Sequence, residues 1–450
     1  MYSNISKNVF HPVADFIFGT SLSRNYRELQ SSQWWSAESI KELQAQKLNR
    51  LIKHAYQNVP YYNELFNRYG VNPDKFELIY NLKKIPVLTK ETARNNLKKL
   101  KASNAALFKP IVNKTGGSTG SPFSYLITKE VASACWAGIY RGWNWAGYEF
   151  GDKRVTIGAF SLGITGKTSL FNHMRWLAER NYPLQGMRLT EEVLDRHVKK
   201  IIGYKPKFIR GFPSAVYALA DYCNQNGIDI INPMAVFTTS ETLLPQHRRL
   251  IEKQFKCEVF NNYGAYDGGI QAFECEKHNG LHISAEKAIV EVLDEADNPV
   301  QPGQLGRIVV TDLHNYAMPF IRYEVGDTGA LSKDRCSCGR GLPLLSELGG
   351  RISDALKFGN GISITGPAVV HLFSFQQNIK QYQVVQKTPC KLLIKIVKNK
   401  HYVPDDEERL LKILSEKVGK GVAVELNYCK DIPKTIGGKH RFIINECPDS

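Results

Sequence analysis

The sequence predicts an α/β fold with a large, multi-layer N-terminal domain that includes a β-rich subdomain, followed by a small α+β domain at the C-terminus. Its 450 residues are too many for one ordinary hydrophobic core, so two or three domains are expected. Strand-like and helix-like runs alternate between residues 130 and 300. From residue 281 onward, short apolar runs are separated by glycine and asparagine turns, which is typical of hairpins.

The alternating region contains runs with strand composition and runs with helical periodicity. Strands are predicted at 155–160, 208–211, 235–239 and 258–261, and helices at 194–202, 214–227 and 245–255. Upstream, apolar residues at helical spacing predict a helix over 39–69 that is interrupted at Val59 and Pro60. Residues 110–128 are predicted to form a strand, a glycine-rich loop and a second strand.

A domain boundary is expected at Gly349 and Gly350, which divides the chain into domains 1–350 and 351–450. The second domain has a compact α+β pattern. Its strands are predicted at 382–386, 392–397 and 422–428, and an amphipathic helix is predicted at 405–418.

The composition, 43% hydrophobic and 23% charged residues, is that of a globular protein. No apolar run is long enough to span a bilayer, and the first residues do not have the pattern of a secretion signal. Nine cysteines are too few for a disulfide scaffold of this length, so reduced thiols and a cytoplasmic location are expected.

The net charge of +16 raises the question of an anionic partner. Lysine and arginine are spread along the chain without a compact basic block among aromatics, so no nucleic-acid partner is expected. The apolar segment 9–18 has two interpretations. Packing in the core is the favoured one, and membrane contact, at most peripheral, is the alternative.

The strongest local motif is a glycine-rich loop that follows Lys114. It consists of Thr115, Gly116, Gly117, Ser118, Thr119 and Gly120. Glycine lets backbone N–H groups face a ligand, and hydroxyls add further donors, so this composition favours phosphate binding over an ordinary turn. The loop lacks the Gly-Lys-Ser/Thr ending of a Walker motif.

Four further motifs follow in a fixed order. They are NNYGAYD at 261–267, YEVGD at 323–327, GRISD at 350–354 and PKTIGGK at 433–439. Together with the glycine-rich loop they resemble the motifs of the adenylate-forming superfamily of acyl-CoA synthetases over about residues 40–445. Within it, stretches such as GFPSAV, TTSETL and ECEKHNGLHI are similar to the phenylacetate–CoA ligase-like branch, which includes capsule-biosynthesis proteins.

The resemblance implies a role for each motif. The glycine-rich loop would hold the β and γ phosphates of ATP, and Asp267 would bind Mg²⁺, which prefers carboxylate oxygens. Tyr263 would pack near the adenine, and Ser240 and Glu241 would line that pocket. Asn262 and Gly264 would also belong to the ATP/AMP-binding site. Asp327 would accept hydrogen bonds from the ribose hydroxyls, and Arg351 would reach ribose or phosphate. Asp354 would be the hinge of a mobile C-terminal domain, and Lys439 the catalytic lysine that stabilises charge on the α-phosphate.

Two positions depart from the pattern of the superfamily. Phe123 and Ser124 follow Pro122 where many relatives carry lysine and glycine, which removes one candidate phosphate contact. Asp267 replaces a glutamate and is one methylene shorter. These departures leave open a nucleotide-binding member without turnover.

A metal site is predicted from two cysteine-containing clusters. Cys275 and His282 lie in one cluster, with His278 between them, and Cys336 and Cys338 lie in the other. Three sulfurs and one imidazole suit a tetrahedral structural Zn²⁺, and His282 is chosen over His278 because it belongs to the GLHI stretch. The alternative is that the cysteines only pack.

The sequence as a whole therefore predicts an ATP-dependent, AMP-forming ligase. It would activate a carboxylic acid as acyl-AMP and pass the acyl group to coenzyme A. The alternative acceptor is an amine, such as an amino sugar in surface-polysaccharide synthesis. Gly211, Phe212 and Pro213 either line the acid pocket or belong to the core. The identity of the acid and the oligomeric state are left open, with a homodimer as one option.

Overall fold

The computed structural model describes residues 2–76, 81–114, 123–159, 162–164, 170–230, 232–364, 366–374, 376, 378–435 and 439–447. The chain forms two compact units. The first comprises Met1–Arg154, Phe171–Asn181 and Phe260–Glu347, and the second comprises Val155–Leu170, Tyr182–Val259 and Leu348–Ser450. The sequence boundary near residue 350 falls close to one junction between these units.

The first unit begins with helices. They are α1 Tyr2–Ile5, a π-helical turn Ser6–Phe10, α2 His11–Phe18, α3 Leu22–Ser32, α4 Ala37–Asn58, α5 Pro60–Tyr69, α6 Lys90–Asn95, α7 Leu97–Leu100 and α8 Lys129–Asn144, with α9 Leu170–Ala178 further along. The Ser36 side chain caps α4 by accepting from the N–H of Ser39, and Pro60 opens α5 at a first-turn position. The predicted interruption at Val59 and Pro60 is confirmed.

The strands of the first unit are mostly antiparallel. A hairpin pairs β1 Ile111–Lys114 with β2 Ser124–Ile127. The others are β7 Glu258–Ala265, β8 Ile270–Glu274, β9 Leu281–Ile283, β10 Ala288–Leu293, β11 Gly306–Asp312, β12 Tyr323–Leu331 and β13 Leu344–Arg351, in the order β10-β11-β12-β13-β9-β8-β7. Because β10–β11 and β11–β12 are antiparallel neighbours, the predicted hairpin-rich region after residue 281 is confirmed, and β7–β8 and β8–β9 extend the antiparallel pairing upstream.

The second unit contains the α/β layer. Its elements are β3 Arg154–Gly158, β4 Asn181–Gln185, α10 Glu191–Tyr204, β5 Phe208–Gly211, α11 Pro213–Gln225, β6 Ala235–Thr239 and α12 Pro245–Phe255, with strand order β6-β5-β3-β4. β5 and β6 are parallel. An apolar cluster that includes Val155, Ile209, Val216 and Val236 fills the space between strands and helices. The predicted α/β layering is confirmed.

The same unit also contains the C-terminal α+β region. Its elements are β14 Leu356–Lys357, β15 Ser363–Ile364, α13 Gly366–Ser374, β16 Ile379–Thr388, β17 Lys391–Lys398, α14 Pro404–Val418, β18 Ala423–Tyr428 and β19 Ile443–Asn445, with sheet order β18-β17-β16-β19. Tyr382, Ile394 and Leu410 belong to its hydrophobic cluster, which also contains Leu244 from the loop before α12. The C-terminal region thus has its own sheet, and its hydrophobic core includes one residue, Leu244, from the α/β layer.

The N-terminal segment corrects one expectation. Core packing was the favoured interpretation of residues 9–18, yet Val9, Val13, Phe16 and Ile17 are exposed, Phe16 by 90%. The periodicity of a sequence predicts that a helix has an apolar face, but it does not predict what covers that face. Among the described residues, no helix combines the length and the apolar character that crossing a membrane requires.

Candidate nucleotide site and cysteine–histidine cluster

The glycine-rich loop itself, Thr115 to Gly120, lies outside the described residues. The strands on either side of it are described and run antiparallel, with Lys114 opposite Ser124. The predicted strand–loop–strand arrangement is therefore confirmed for the strands.

The tyrosine–glycine motif and the glycine–aspartate motif meet in the first unit through two crossed hydrogen bonds. The hydroxyl of Tyr263, on β7, donates to Oδ2 of Asp327, on β12, at 2.8 Å. The hydroxyl of Tyr323, which opens β12, donates to Oδ2 of Asp267, just after β7, at 3.0 Å. Each motif thus contributes one tyrosine donor and one aspartate acceptor. The two bonds fix both carboxylates, although the aspartates are sixty residues apart in sequence (327 − 267).

Glycine makes this approach of the two motifs sterically feasible. Gly326, directly before Asp327, has φ +79°, a conformation that other residues rarely adopt. At Gly268, directly after Asp267, an added Cβ would lie 2.5 Å from Cγ1 of Val325. A larger residue would strain the backbone at Gly326 and would clash with Val325 at Gly268.

Asp267 has a second polar neighbour that the sequence analysis missed. Lys90 Nζ lies 3.9 Å from Oδ2 of Asp267, whose side chain is 12% exposed. The loop before α6 is fixed beside β12, since Leu88 N–H donates to the Arg322 carbonyl at 2.8 Å. No sequence motif marks Lys90, because the contact depends on a bridge between distant segments.

Asp267 is chemically suited to the role of magnesium ligand. It is a partly accessible carboxylate, and a single carboxylate is a usual protein contribution when nucleotide phosphates complete the coordination. Asn262 and Gly264 lie with Tyr263 on β7, and the Asn262 side chain is buried.

In the second unit, Glu241 makes contacts that the sequence did not indicate. Its Oε2 accepts from the N–H of Ser214 at 3.1 Å, in the first turn of α11. Its Oε1 accepts from the N–H of His440 at 2.7 Å, one residue after the predicted catalytic lysine. Glu241 therefore links the strand-end loop after β6 to the C-terminal motif. Its neighbour Ser240 has φ +72°, an uncommon conformation for serine.

The C-terminal lysine motif is anchored on both sides of Lys439. The backbone N–H of Lys439 donates to Thr435 Oγ1 at 3.1 Å, and the His440 ring bonds the Tyr382 carbonyl at 2.9 Å. Lys434, in the same motif, donates from Nζ to the Gly186 carbonyl at 3.0 Å. Burial lowers the pKa of Lys434. Residues 436–438 lie outside the described part.

The hinge motif lies at the end of β13. Arg351 is its last residue, and Asp354 closes the 3-10 turn Ile352–Asp354 that follows. Arg441, two residues after Lys439, places its Nη2 3.6 Å from Oδ1 of Asp354. The hinge and lysine motifs are thus neighbours in the second unit.

The proposed acid-pocket residues lie between β5 and α11. An added Cβ at Gly211 would lie 2.7 Å from the Ile157 carbonyl oxygen, and Pro213 begins α11. Phe212 is fully buried in the apolar cluster of this unit. Packing is therefore the observed role of Phe212, and pocket lining stays a prediction for the three residues.

Cys275, His282, Cys336 and Cys338 come together, with their ligand atoms all within 4.8 Å of one another. The sulfurs of Cys275 and Cys336 are 3.7 Å apart, and Cys338 Sγ lies 3.3 Å from His282 Nε2. A tetrahedral Zn²⁺ with Zn–S bonds of about 2.3 Å would separate two sulfurs by about 3.8 Å, whereas a disulfide needs about 2.05 Å. The donor set and its spacing therefore fit zinc.

The surroundings of His282 also fit a metal ligand. Its Nδ1 lies 3.4 Å from the Leu342 carbonyl, which leaves Nε2 facing the sulfurs. His278 is elsewhere, with its Nδ1 3.3 Å from Glu274 and its ring 4.8 Å from that of Phe260. The geometry therefore favours His282, as the sequence analysis did.

Comparison with known proteins found relatives that align with most of this chain. Residues 358–446 match the family described as the CapK C-terminal domain. Protein CapK of Staphylococcus aureus is 25% identical over 432 residues, covering 90% of this chain and 89% of its own length. A phenylacetate–coenzyme A ligase of Thermus thermophilus is 25% identical over 442 residues, covering 91% and 97%.

Solved structures have the same fold. A 2-hydroxyisobutyryl-CoA ligase in the postadenylation state superposes with a TM-score of 0.72 at 18% identity, covering 92% of this chain and 91% of its own. An anthranilate CoA ligase with anthranoyl-AMP gives 0.54 at 16% identity, covering 73% and 64%. Along nearly its whole length the chain is thus similar to CapK and to phenylacetate–coenzyme A ligases, and it has the fold of these solved acyl-CoA ligases.

Proposed function

We propose that this protein is an AMP-forming ligase that activates a carboxylic acid as acyl-AMP and transfers the acyl group to coenzyme A. The observation that carries the proposal is the crossed pair of hydrogen bonds from Tyr263 to Asp327 and from Tyr323 to Asp267. These bonds fix the two carboxylates that we propose bind ribose, in the case of Asp327, and magnesium, in the case of Asp267. The relatives named phenylacetate–coenzyme A ligase support the same activity.

In the first half-reaction, an oxygen of the acid forms a bond to the α-phosphorus of ATP while the bond to pyrophosphate breaks. Asp327 would hold the ribose hydroxyls, and Tyr263 would pack near the adenine. Lys439 and Arg351 would offset negative charge as it develops on the phosphate oxygens. Magnesium, when bound, would neutralise phosphate charge, and Asp267 is the residue proposed to hold it.

In the second half-reaction, the thiol sulfur attacks the acyl carbon, and AMP leaves as its bond to that carbon breaks. Residues 351–450 are proposed as the mobile domain, with Asp354 as its hinge, so that Lys439 serves only the first step. The ion pair between Asp354 and Arg441 supports a mechanical link between hinge and lysine motif.

An amine acceptor is the alternative for the second half-reaction. The likeness to CapK, and the match of residues 358–446 to a CapK domain, support surface-polysaccharide synthesis as the setting in which an amino sugar would serve. A nucleotide-binding protein without turnover remains the non-enzymatic alternative, because Phe123 and Asp267 depart from the motifs.

The cysteine–histidine cluster is proposed to bind one structural Zn²⁺ through Cys275, His282, Cys336 and Cys338. All but Cys338 are buried, and four protein ligands leave no open position for a substrate. The metal would therefore stabilise the β-rich region and take no part in acyl transfer.

The decisive experiment measures pyrophosphate release from ATP and Mg²⁺ across a panel of aliphatic, aromatic and hydroxy acids. Release that requires one class of acid is expected, and product mass with coenzyme A or with amino sugars then identifies the acceptor. ATP binding without pyrophosphate release for any acid, with or without an acceptor, would contradict the ligase proposal in favour of the non-enzymatic alternative.

A further inference from the structure

The first seventeen described residues form a nearly continuous helical segment, from α1 through the π-helical turn to the end of α2. One side of this segment is apolar and faces solvent; we call it the N-terminal face. It consists of Ile5, Val9, Phe10, Val13, Phe16 and Ile17, and all six side chains are exposed. Exposed apolar side chains are common singly, but a contiguous row of them marks an interaction surface.

The opposite side of the segment is polar and faces the protein, the reverse of an ordinary surface helix. Ser6 and His11 are buried, and the His11 ring packs 4.6 Å from that of Phe150. Asp15 accepts from Thr20 Oγ1 at 2.6 Å and from the N–H of Ser23 at 2.7 Å. These contacts hold the segment in the orientation that turns the N-terminal face outward.

The apolar surface continues onto a neighbouring helix. The Tyr2 hydroxyl donates to the carbonyl of Ala178, the last residue of α9, at 2.8 Å. On α9, Met174 and Leu177 are three residues apart, on the same side of the helix, and both are exposed. Exposed apolar side chains therefore lie on both helices that meet at the contact between Tyr2 and Ala178.

The charges at its border are positive. Residues 2–18 contain one acidic residue, Asp15, whose carboxylate accepts the hydrogen bonds described above. They contain one lysine, Lys7, which is exposed. Arg180 lies 4.9 Å from the Tyr2 ring centroid, and Lys129 Nζ donates to the Phe18 carbonyl at 2.7 Å. Of the nearby acids, Glu130 bonds Asn25 at 3.1 Å and Glu179 pairs with Arg154.

We propose that the N-terminal face binds in the plane of an anionic lipid bilayer. Aliphatic and aromatic side chains on one face of a helix, bordered by lysine and arginine, are what an interfacial helix needs. A second copy is the less suitable occupant, because it would bring the same basic border and the same net charge of +16 to the contact. The surface is independent of the residues proposed for adenylation.

The test is sedimentation of the full-length protein with vesicles of phosphatidylglycerol and phosphatidylcholine, and with phosphatidylcholine alone. Wild type is expected to bind the anionic vesicles in preference. The double variant Phe16→Glu, Ile17→Glu should lose at least about tenfold in partitioning, because carboxylates would have to enter the interface beside anionic lipid. Lys7→Gln should weaken binding less and reduce its salt dependence.

A matched control places the same charges elsewhere. Leu107 and Met234 are also exposed, by 77% and 53%, so Leu107→Glu, Met234→Glu should bind vesicles like wild type. Melting temperatures verify that both double variants are folded. If the Phe16/Ile17 variant does not fold, Lys7→Gln provides the readout. Equal binding by the Phe16/Ile17 variant, equal affinity for both kinds of vesicle, or no binding by wild type would overturn the proposal. The proposal would also be overturned if the wild-type protein formed a dimer and bound no vesicles, and if the Phe16/Ile17 variant were a monomer.

Discussion

Asp267 and Asp327 have the same side chain but different proposed tasks, and their surroundings distinguish them. Asp327 is buried on β12 and accepts from Tyr263, which suits precise hydrogen bonding to a sugar. Asp267 accepts from Tyr323, and Lys90 Nζ lies 3.9 Å from its carboxylate. These charged surroundings suit the proposed role of binding a metal ion beside the phosphates. The crossed tyrosines keep the two carboxylates in separate places.

Replacing Asp327 tests the ribose assignment. Asp327→Asn keeps one acceptor oxygen but loses the charge, so ATP affinity should fall by about tenfold or more, the value of one charged hydrogen bond. Calorimetry with ATP measures this directly. Tyr263→Phe is the matched control: it removes the 2.8 Å bond to Asp327 but not the carboxylate, and it should cost less. Unchanged ATP affinity in Asp327→Asn would remove Asp327 from the nucleotide site.

Lys439 is expected to act in the adenylation step alone. Lys439→Ala should slow ATP–pyrophosphate exchange by at least about a hundredfold, the scale of losing one preorganised charge donor. Thioester formation from supplied acyl-AMP should be far less affected. Exposed Lys430, at the start of the same segment, provides the control Lys430→Ala. An equal loss in both half-reactions by a folded Lys439→Ala would contradict the domain-motion proposal.

At the scale of elements, sequence patterns predicted the α/β layer, the hairpins and the C-terminal α+β region, because each depends on local periodicity and turn residues. The cysteine cluster was also predictable, since soft ligands in two short clusters have few structural uses. The outward orientation of the N-terminal face was not, because it depends on what Ser6, His11 and Asp15 contact. Nor was the Lys90 contact, which depends on strand β12 lying beside a distant loop.

The metal prediction belongs to the β-rich region. Purified protein should contain about one zinc per chain, and Cys336→Ser should lower both zinc content and melting temperature, because the ligand clusters close a loop of some sixty residues (336 − 275). Elemental analysis and thermal melting measure these effects. Cys390→Ser, at an exposed cysteine outside the cluster, should change neither.

His278 provides the second control for the metal. His278 has φ +49°, so His278→Asn is preferable to alanine, because asparagine tolerates that conformation. Its zinc content should equal that of wild type. Metal-free wild-type protein, purified without chelators, would leave the three cysteines as packing residues.

At the scale of the whole molecule, the sequence motifs indicated which segments cooperate but not how they are held. Glu241 and His440 are 199 residues apart, and neither periodicity nor motif spacing predicts that they bond. The resemblance assigned Glu241 to the adenine site, whereas both of its carboxylate oxygens accept backbone N–H groups in the second unit. The contact gives Glu241 a second candidate role, that of positioning the lysine motif for adenylation.

Kinetics of a Glu241 variant separate the two roles. Glu241→Ala removes the acceptor for His440 N–H and the negative charge at the start of α11, so Lys439 should be held less firmly. If Glu241 positions the lysine motif, kcat for adenylation should fall by about tenfold or more, the equivalent of about 1.4 kcal/mol, while the KM for ATP stays constant. Thioester formation from supplied acyl-AMP should be nearly unchanged, because Lys439 is proposed to serve the adenylation step alone. Glu241→Gln keeps one acceptor oxygen and should recover part of the rate, and Glu192→Ala, at an exposed glutamate in the first turn of α10, should have no effect. A raised KM for ATP at constant kcat would instead assign Glu241 to the nucleotide pocket and refute the positioning role.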